Sequence, residues 1–226
     1  MLVLGHRGAS AAYPENTLAA FAGALDQGAD GVELDVRRTA DGALAIGHDA
    51  ALPDGRLIHQ TAAADLPSEV PSLAEALDVL AGATIVNVEI KNLPDDADFD
   101  PSDAVAEHVV ALLRSRGELD DGRLLVSCFH VPTIDRVHER APALATGWLA
   151  IDAGPELVER VVAAGHRALH PHHAFVTPQL VDAAHASGLA LHTWTVDDPD
   201  RIRWLAGLGV DSVITNDPAT ALAALA

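Results

Sequence analysis

The chain has 226 residues, with 14 Lys plus Arg against 33 Asp plus Glu and a formal net charge of −19. Such a balance excludes DNA or RNA as a partner, because a phosphate backbone needs a basic footprint, and it opposes stable membrane association through anionic lipids. Hydrophobic residues make up 49%, enough for a packed core, and the length suits one domain, with α/β barrels of about 200–250 residues among the candidates.

Apolar, strand-like runs alternate with helix-like segments along the whole sequence. LVLG (2–5) reads as a buried strand that ends by presenting His6 and Arg7 between Gly5 and Gly8. NTLAAFAGALDQG (16–28) reads as a helix with Asn16 as its cap and Gly28 as its stop. DGVELDVRRT (30–39) is a strand with Val32, Leu34 and Val36 on one face and Glu33 and Asp35 on the other. An Asp41-Gly42 turn leads into an extra strand, GALAIGHDA (42–50). Residues 51–70 are polar with scattered prolines and read as a loop, a very short insertion. SLAEALDVLAG (72–82) carries a Ser cap and a glutamate three residues on, the mark of a helix start.

The alternation continues with TIVNVEIK (84–91), a helix over 101–117, RLLVSC (123–128), a helix over 132–141, and LATGWLA (144–150). A helix over 155–165, the short strand ALHP (168–171), a helix over 177–188 and the strand LALHTWTV (189–196) follow. A helix over 198–209, DSVIT (211–215) and a last helix over 218–226 complete the pattern. About eight β/α units imply parallel strands with helices outside. A closed (β/α)8 TIM barrel spanning residues 1–226 as a single domain is the leading architecture, and a doubly wound open sheet is the runner-up.

Cys128 is the only cysteine, so no disulfide framework and no thiolate zinc site can form within the chain. A reducing cytoplasm fits this usage. His6 and Arg7 interrupt the N-terminal apolar run after four residues, so no signal peptide is expected. Cys128 reads as a small core residue, and His138, His166, His172, His173 and His185 as surface or structural groups.

In a barrel of this kind chemistry sits at the C-terminal ends of the strands. The polar residues there are His6-Arg7, Glu33 and Asp35, His48-Asp49, Glu89 and Lys91, then His192 and Trp194. Residues i and i+2 on a strand face the same side, so Glu33 pairs with Asp35 and Glu89 with Lys91. Three converging carboxylates are costly to bury unless a cation satisfies them, and oxygen-only ligands select a hard divalent ion, Mg²⁺ or Ca²⁺. Arg7 and Lys91 beside that ion form a receptor for one phosphate group. His6 and His48 are the candidate acid and base, imidazole being the side chain whose unperturbed pKa lies closest to working pH. Each element alone is a weak signal, since E-x-D and E-x-K on a strand are commonly solvated or paired. Their joint occurrence at the ends of successive strands carries the reading.

The order HRG (6–8), PENT (14–17), GAD (28–30) with Glu33 and Asp35, Thr39 with Asp41-Gly42, His48-Asp49 and Glu89 with Lys91 resembles the glycerophosphodiester phosphodiesterases. TWTVDDP (193–199) and GVDSVITNDP (209–218) look like that family's closing strands. The resemblance implies a TIM barrel that hydrolyses small glycerol phosphodiesters to sn-glycerol 3-phosphate and an alcohol. It maps the metal ligands to Glu33, Asp35 and Glu89, and the acid/base pair to His6 and His48. Phosphate or substrate binding maps to Arg7, Lys91 and Trp194, and Glu15 to a residue close to the site. The segment ALPDGRLIHQT (51–61) departs from the family pattern after His48-Asp49, and the near absence of the family's larger insertion leaves the site more open. Two alternatives stand beside this reading: a phospholipase D-type barrel acting on lysophospholipids, and a phosphate-ligand binding protein without catalysis. Either water or the substrate's own 2-hydroxyl would serve as nucleophile.

Overall fold

A computed structural model describes residues 1–226. The first elements are β1 (Leu2–His6), α1 (Leu18–Asp26), β2 (Gly31–Arg38), β3 (Leu44–Ile46), α2 (Leu73–Val79) and β4 (Ile85–Ile90). Then come α3 (Ala104–Arg116), β5 (Leu124–Cys128), α4 (Val131–Arg140), β6 (Ala145–Ala150), α5 (Pro155–Ala163) and β7 (Ala168–Pro171). The chain closes with α6 (Pro178–Ala186), β8 (Ala190–Thr193), α7 (Pro199–Leu208), β9 (Ser212–Thr215) and α8 (Pro218–Leu225).

β1 pairs in parallel with both β2 and β9, so eight parallel strands close into a barrel. The open-sheet alternative is thereby excluded. β3 lies antiparallel on β2 as a hairpin partner outside the closed ring. No helix is long and apolar enough to cross a membrane.

The period-2 pattern explains how the layers form. Val32, Leu34 and Val36 of β2 and Val86, Val88 and Ile90 of β4 point outward into a core with Phe21, Leu77 and Leu113 of the surrounding helices. A second core joins Leu169 and Leu191 of β7 and β8 to α5, α6 and α7. The alternate residues of the same strands turn into the barrel. Register then does the positioning, because His6 lies beside Glu33, Glu33 beside Asn87, and Asp35 beside Glu89.

The glycines flanking His6-Arg7 have a steric reason. A Cβ on Gly5 would stand 2.7 Å from the carbonyl oxygen of Gly8. Gly8 itself has φ +86° and presses on the backbone of Ala20, 2.5 Å from where a Cβ would be.

Three sequence expectations need correction. Asn16 does not cap α1; Thr17 does, its Oγ1 accepting from the Ala20 N–H at 3.2 Å. Asn16 instead adopts φ 57° and is buried. The strand expected over 189–196 stops at Thr193, and Trp194 continues only as an isolated bridge to His172. The loop over 51–70 holds two short 3₁₀ turns, Ile58–Gln60 and Ala63–Asp65. The capping box of α2 forms as expected, with Ser72 and Glu75 exchanging side-chain to backbone hydrogen bonds.

Candidate active site

Seven of the eight residues singled out by sequence line one pocket of about 140 Å³ at the C-terminal ends of the strands: His6, Arg7, Glu33, His48, Glu89, Lys91 and Trp194. Asp35, the eighth, lies behind them, 1% exposed. Asn87, Phe129 and Leu149 also face the pocket.

Glu33, Asp35 and Glu89 are all buried and offer carboxylate oxygens within 4.8 Å of one another. Their charge is partly answered by two cations. Arg7 Nε lies 3.1 Å from Asp35 Oδ2, and Lys91 Nζ lies 2.9 Å from Asp35 Oδ1 and pairs closely with Glu89. Glu33 Oε1 has no partner at all. Three carboxylates against two cations leave one net negative charge in a buried site. Burial pushes the Glu33 carboxyl well above its ordinary range, with Asp35 and Glu89 adding to the rise. Burial likewise pushes Glu89 up to about 7, although Lys91 opposes it. Burial also acts to raise Asp35, but Lys91 and Arg7 outweigh it and hold that carboxyl below its usual range.

This donor set fits a hard divalent cation. All ligands are carboxylate oxygens, one is an orphan in a dry environment, and burial keeps two of the carboxyls from ionising readily. A divalent ion would turn the single net negative charge into a single net positive one, which a phosphodiester monoanion would neutralise.

Local backbone strain builds this corner. Arg7 and Asn16 both have left-handed φ, 55° and 57°, uncommon for residues with a side chain. The two are tied together, the Asn16 N–H donating to the Arg7 carbonyl at 3.0 Å. Both side chains then converge on Asp35, with Asn16 Nδ2 donating to Asp35 Oδ2 at 2.8 Å. Glu15 holds the other end of Arg7, accepting from Nη1 at 2.8 Å. PENT therefore serves as a brace for the carboxylate corner.

Each histidine has an orienting partner. His6 Nδ1 donates to Asn216 Oδ1 at 2.7 Å, and Asn216 donates in turn from Nδ2 to Asp197 Oδ2 at 2.6 Å. With the amide so oriented, the His6 proton sits on Nδ1 and Nε2 keeps a lone pair, 3.9 Å from Glu33 Oε2. Burial lowers the His6 pKa, and the Asn216 hydrogen bond opposes that shift without cancelling it. His48 Nδ1 pairs with Asp49 Oδ1 at 2.7 Å. Its backbone is clamped by Arg37, whose Nε and Nη2 donate to the His48 carbonyl at 2.9 and 2.6 Å. Arg37 is itself fixed by Asp98 at 2.5 Å and Asp96 at 3.0 Å.

Trp194 stands on the opposite half of the barrel. Its Nε1 donates to the His170 carbonyl at 2.9 Å, and its ring meets Phe129 edge-on at 5.4 Å. Cys128 is fully buried with its thiol raised to about 12 by burial, as befits a core residue. His130 bonds Thr133 at 3.0 Å at the start of α4 and does not line the pocket. Sequence reasoning did not single out Asn16, Arg37, Asn216 or Asp197 as site residues. The motifs PENT, VDDP and NDP held the signal for three of them, but their contacts to His6 and Asp35 span up to 210 positions.

Comparison with known proteins identifies the family. The model of the "Glycerophosphoryl diester phosphodiesterase family" matches residues 6–220. A glycerophosphodiester phosphodiesterase of Caldanaerobacter subterraneus subsp. tengcongensis is 32% identical, over 97% of this chain and 95% of its own length. A phosphodiesterase from Oleispira antarctica, solved in complex with the product sn-glycerol-3-phosphate, superposes with a TM-score of 0.89 at 27% identity, covering 100% of this chain and 96% of its own. A glycerophosphodiester phosphodiesterase from Thermotoga maritima gives 0.83 at 29% identity, covering 99% of this chain and 97% of its own. A closed parallel barrel that gathers carboxylates, an arginine, a lysine and two histidines at one mouth thus belongs, with this chain, to the glycerophosphoryl diester phosphodiesterase family of phosphoric diester hydrolases.

Proposed function

We propose that the protein hydrolyses glycerophosphodiesters to sn-glycerol 3-phosphate and an alcohol, using one divalent cation, Mg²⁺ or Ca²⁺, and acid/base catalysis by histidine. The observation that carries this reading is the buried group Glu33, Asp35 and Glu89, with an orphan oxygen on Glu33, set in the same pocket as His6 and His48. A divalent ion held by those three carboxylates would supply charge stabilisation for the phosphoryl oxygens.

The chain's own residues do the rest. Arg7 and Lys91 bind the non-bridging oxygens, and Asp35 keeps both cations aimed at the pocket. His6 is held neutral by burial, with Asn216 on Nδ1, so its Nε2 takes the proton from the nucleophile. His48, with Asp49 on Nδ1, delivers a proton to the departing alkoxide from Nε2. Water or the substrate's 2-hydroxyl is the nucleophile. Trp194 packs against the glycerol or the alcohol. A cytoplasmic location accords with the single buried cysteine.

The test is cleavage of glycerophosphocholine and glycerophosphoethanolamine by protein stripped with chelator and then given Mg²⁺ or Ca²⁺ in turn. Release of glycerol 3-phosphate only with metal is expected. No turnover with either ion would overturn the reading and leave the lysolipid or binding-protein alternative.

A further inference from the structure

The pocket that holds the charged groups is small, and its mouth does not open evenly. On the side of β5, β6 and β7 a second cavity of about 660 Å³ adjoins it. The two share Phe129 and Leu149 as a common wall, so they lie side by side. Beyond that shared wall the groove is floored by Trp148 and Leu157 and flanked by Ile151 and Phe175. Ile151 is 62% exposed and Phe175 42% exposed, two of the six large apolar side chains the chain leaves in water. Both stand at the end of the barrel where chemistry occurs, so their exposure has a functional reading that scattered surface residues do not. The charges at the lip are Asp152 and Glu156, neither of them ion-paired, and Arg160, whose guanidinium sits over the Trp148 ring at 5.1 Å. The lip therefore repels a second anion.

A phosphodiester has two arms. The inner pocket, with its carboxylates, cations and histidines, suits the phosphate and one short polar arm. We propose that the groove receives the other arm, and that this arm is an alkyl-bearing alcohol without negative charge, presented as a dissolved monomer. The inference rests on the phosphodiesterase reading above and names the substrate class within it. Monomeric delivery follows from the net charge of −19, which disfavours docking on an anionic lipid surface. Choline and ethanolamine esters leave the apolar floor largely unused.

The experiment is a homologous series of glycerophosphoalkyl esters, ethyl, butyl and octyl, assayed below their micellar concentrations in the metal-loaded enzyme. The leaving alcohols differ little in acidity, so chain length reports burial alone. KM should fall by about tenfold or more from ethyl to octyl, a fraction of what full burial of six methylenes would give. Ile151→Asp and Phe175→Asp should each raise the octyl KM by roughly tenfold and leave the ethyl KM within about twofold. Equal KM values along the series, or variants that affect ethyl and octyl alike, would overturn the groove assignment. Tryptophan fluorescence titration with the octyl ester gives a readout that needs no turnover. Octyl binding that Ile151→Asp weakens, in a protein that cleaves no ester, would retain the groove and reject the hydrolase reading. Tight cleavage of the ethyl ester without length dependence would do the reverse.

Discussion

The two halves of the barrel divide the labour unequally. β1, β2 and β4, with the hairpin after β2, supply every charged group of the pocket: His6, Arg7, Glu33, His48, Glu89 and Lys91, with Asp35 behind. β5 through β9 supply no formal charge to it. They contribute Phe129, Leu149, Trp194 and Ile214 to the wall, and a few neutral polar groups below. His170 and His192 lie in that second half, tilted against each other at 4.8 Å, and burial holds both rings neutral. On the proposed mechanism the charged half binds the anion and moves protons, while the other half shapes the neutral arms of the substrate. Both sets share one mouth because the ring closes between β1 and β9.

Removing a charge from the first half should produce the largest effects. Glu33→Ala takes away the orphan oxygen and should lower turnover by on the order of 10⁴-fold. Calorimetric titration with Mg²⁺ or Ca²⁺ should show weakened affinity in the same variant; unchanged affinity would remove Glu33 from the metal site. His6→Ala and His48→Ala should each cost about 10²–10⁴-fold in kcat while metal affinity is retained. Near-normal turnover in both variants would break the assignment of proton transfer to this half.

A perturbation of the second half should appear in stability instead. The unfolded chain protonates His192 near its ordinary pKa of 6.5, whereas the folded chain does so only at about 4. The unfolded state then binds more protons between those limits, so this contribution is full above pH 6.5 and is lost as pH falls toward 4. Its size is on the order of 3 kcal/mol. Glu89 acts in the opposite sense, since its folded pKa is raised to about 7 and its burden on the fold is relieved as pH falls. Comparing urea midpoints of wild type and His192→Gln at pH 7.5 and pH 5 cancels Glu89. The variant should lose less stability than wild type between the two; equal losses would show that His192 is not held neutral.

The sequence made the first half far more legible than the second. E-x-D and E-x-K declare a shared face through the period of the strand alone, and the register of β2 with β4 then places Asp35 beside Glu89. The alternation of apolar runs and helices sufficed for the barrel. What stayed hidden depends on contacts between distant positions or on backbone that local preference does not dictate. Asn16 precedes a helix, and an asparagine there reads as a cap; only the left-handed turn shared with Arg7 reveals that its amide faces Asp35. Arg37 looks like one more charge on a strand until the loop carrying Asp96 and Asp98 folds over it. The groove beside the pocket is assembled from three strand ends, and no local pattern marks it.

The smallest effect falls where the halves meet. Asn216 follows β9 yet orients His6 of β1, a neutral group steering the proposed proton carrier. Asn216→Ala leaves Nδ1 without its acceptor, so the ring samples both tautomers and other orientations. A loss of roughly tenfold in kcat is expected, about 1.4 kcal/mol, with KM little changed. A purely structural role would produce the same loss, so the pH profile decides. The Asn216 hydrogen bond raises the His6 pKa against the effect of burial. Its removal should therefore move the acidic limb of kcat/KM to lower pH. Asn216→Asp sets a carboxylate at the same place, favours the imidazolium and should move that limb to higher pH. Shifts in opposite directions from one position would establish that the second half tunes the proton chemistry of the first. Shifts in the same direction, or none, would confine Asn216 to holding the loop in place.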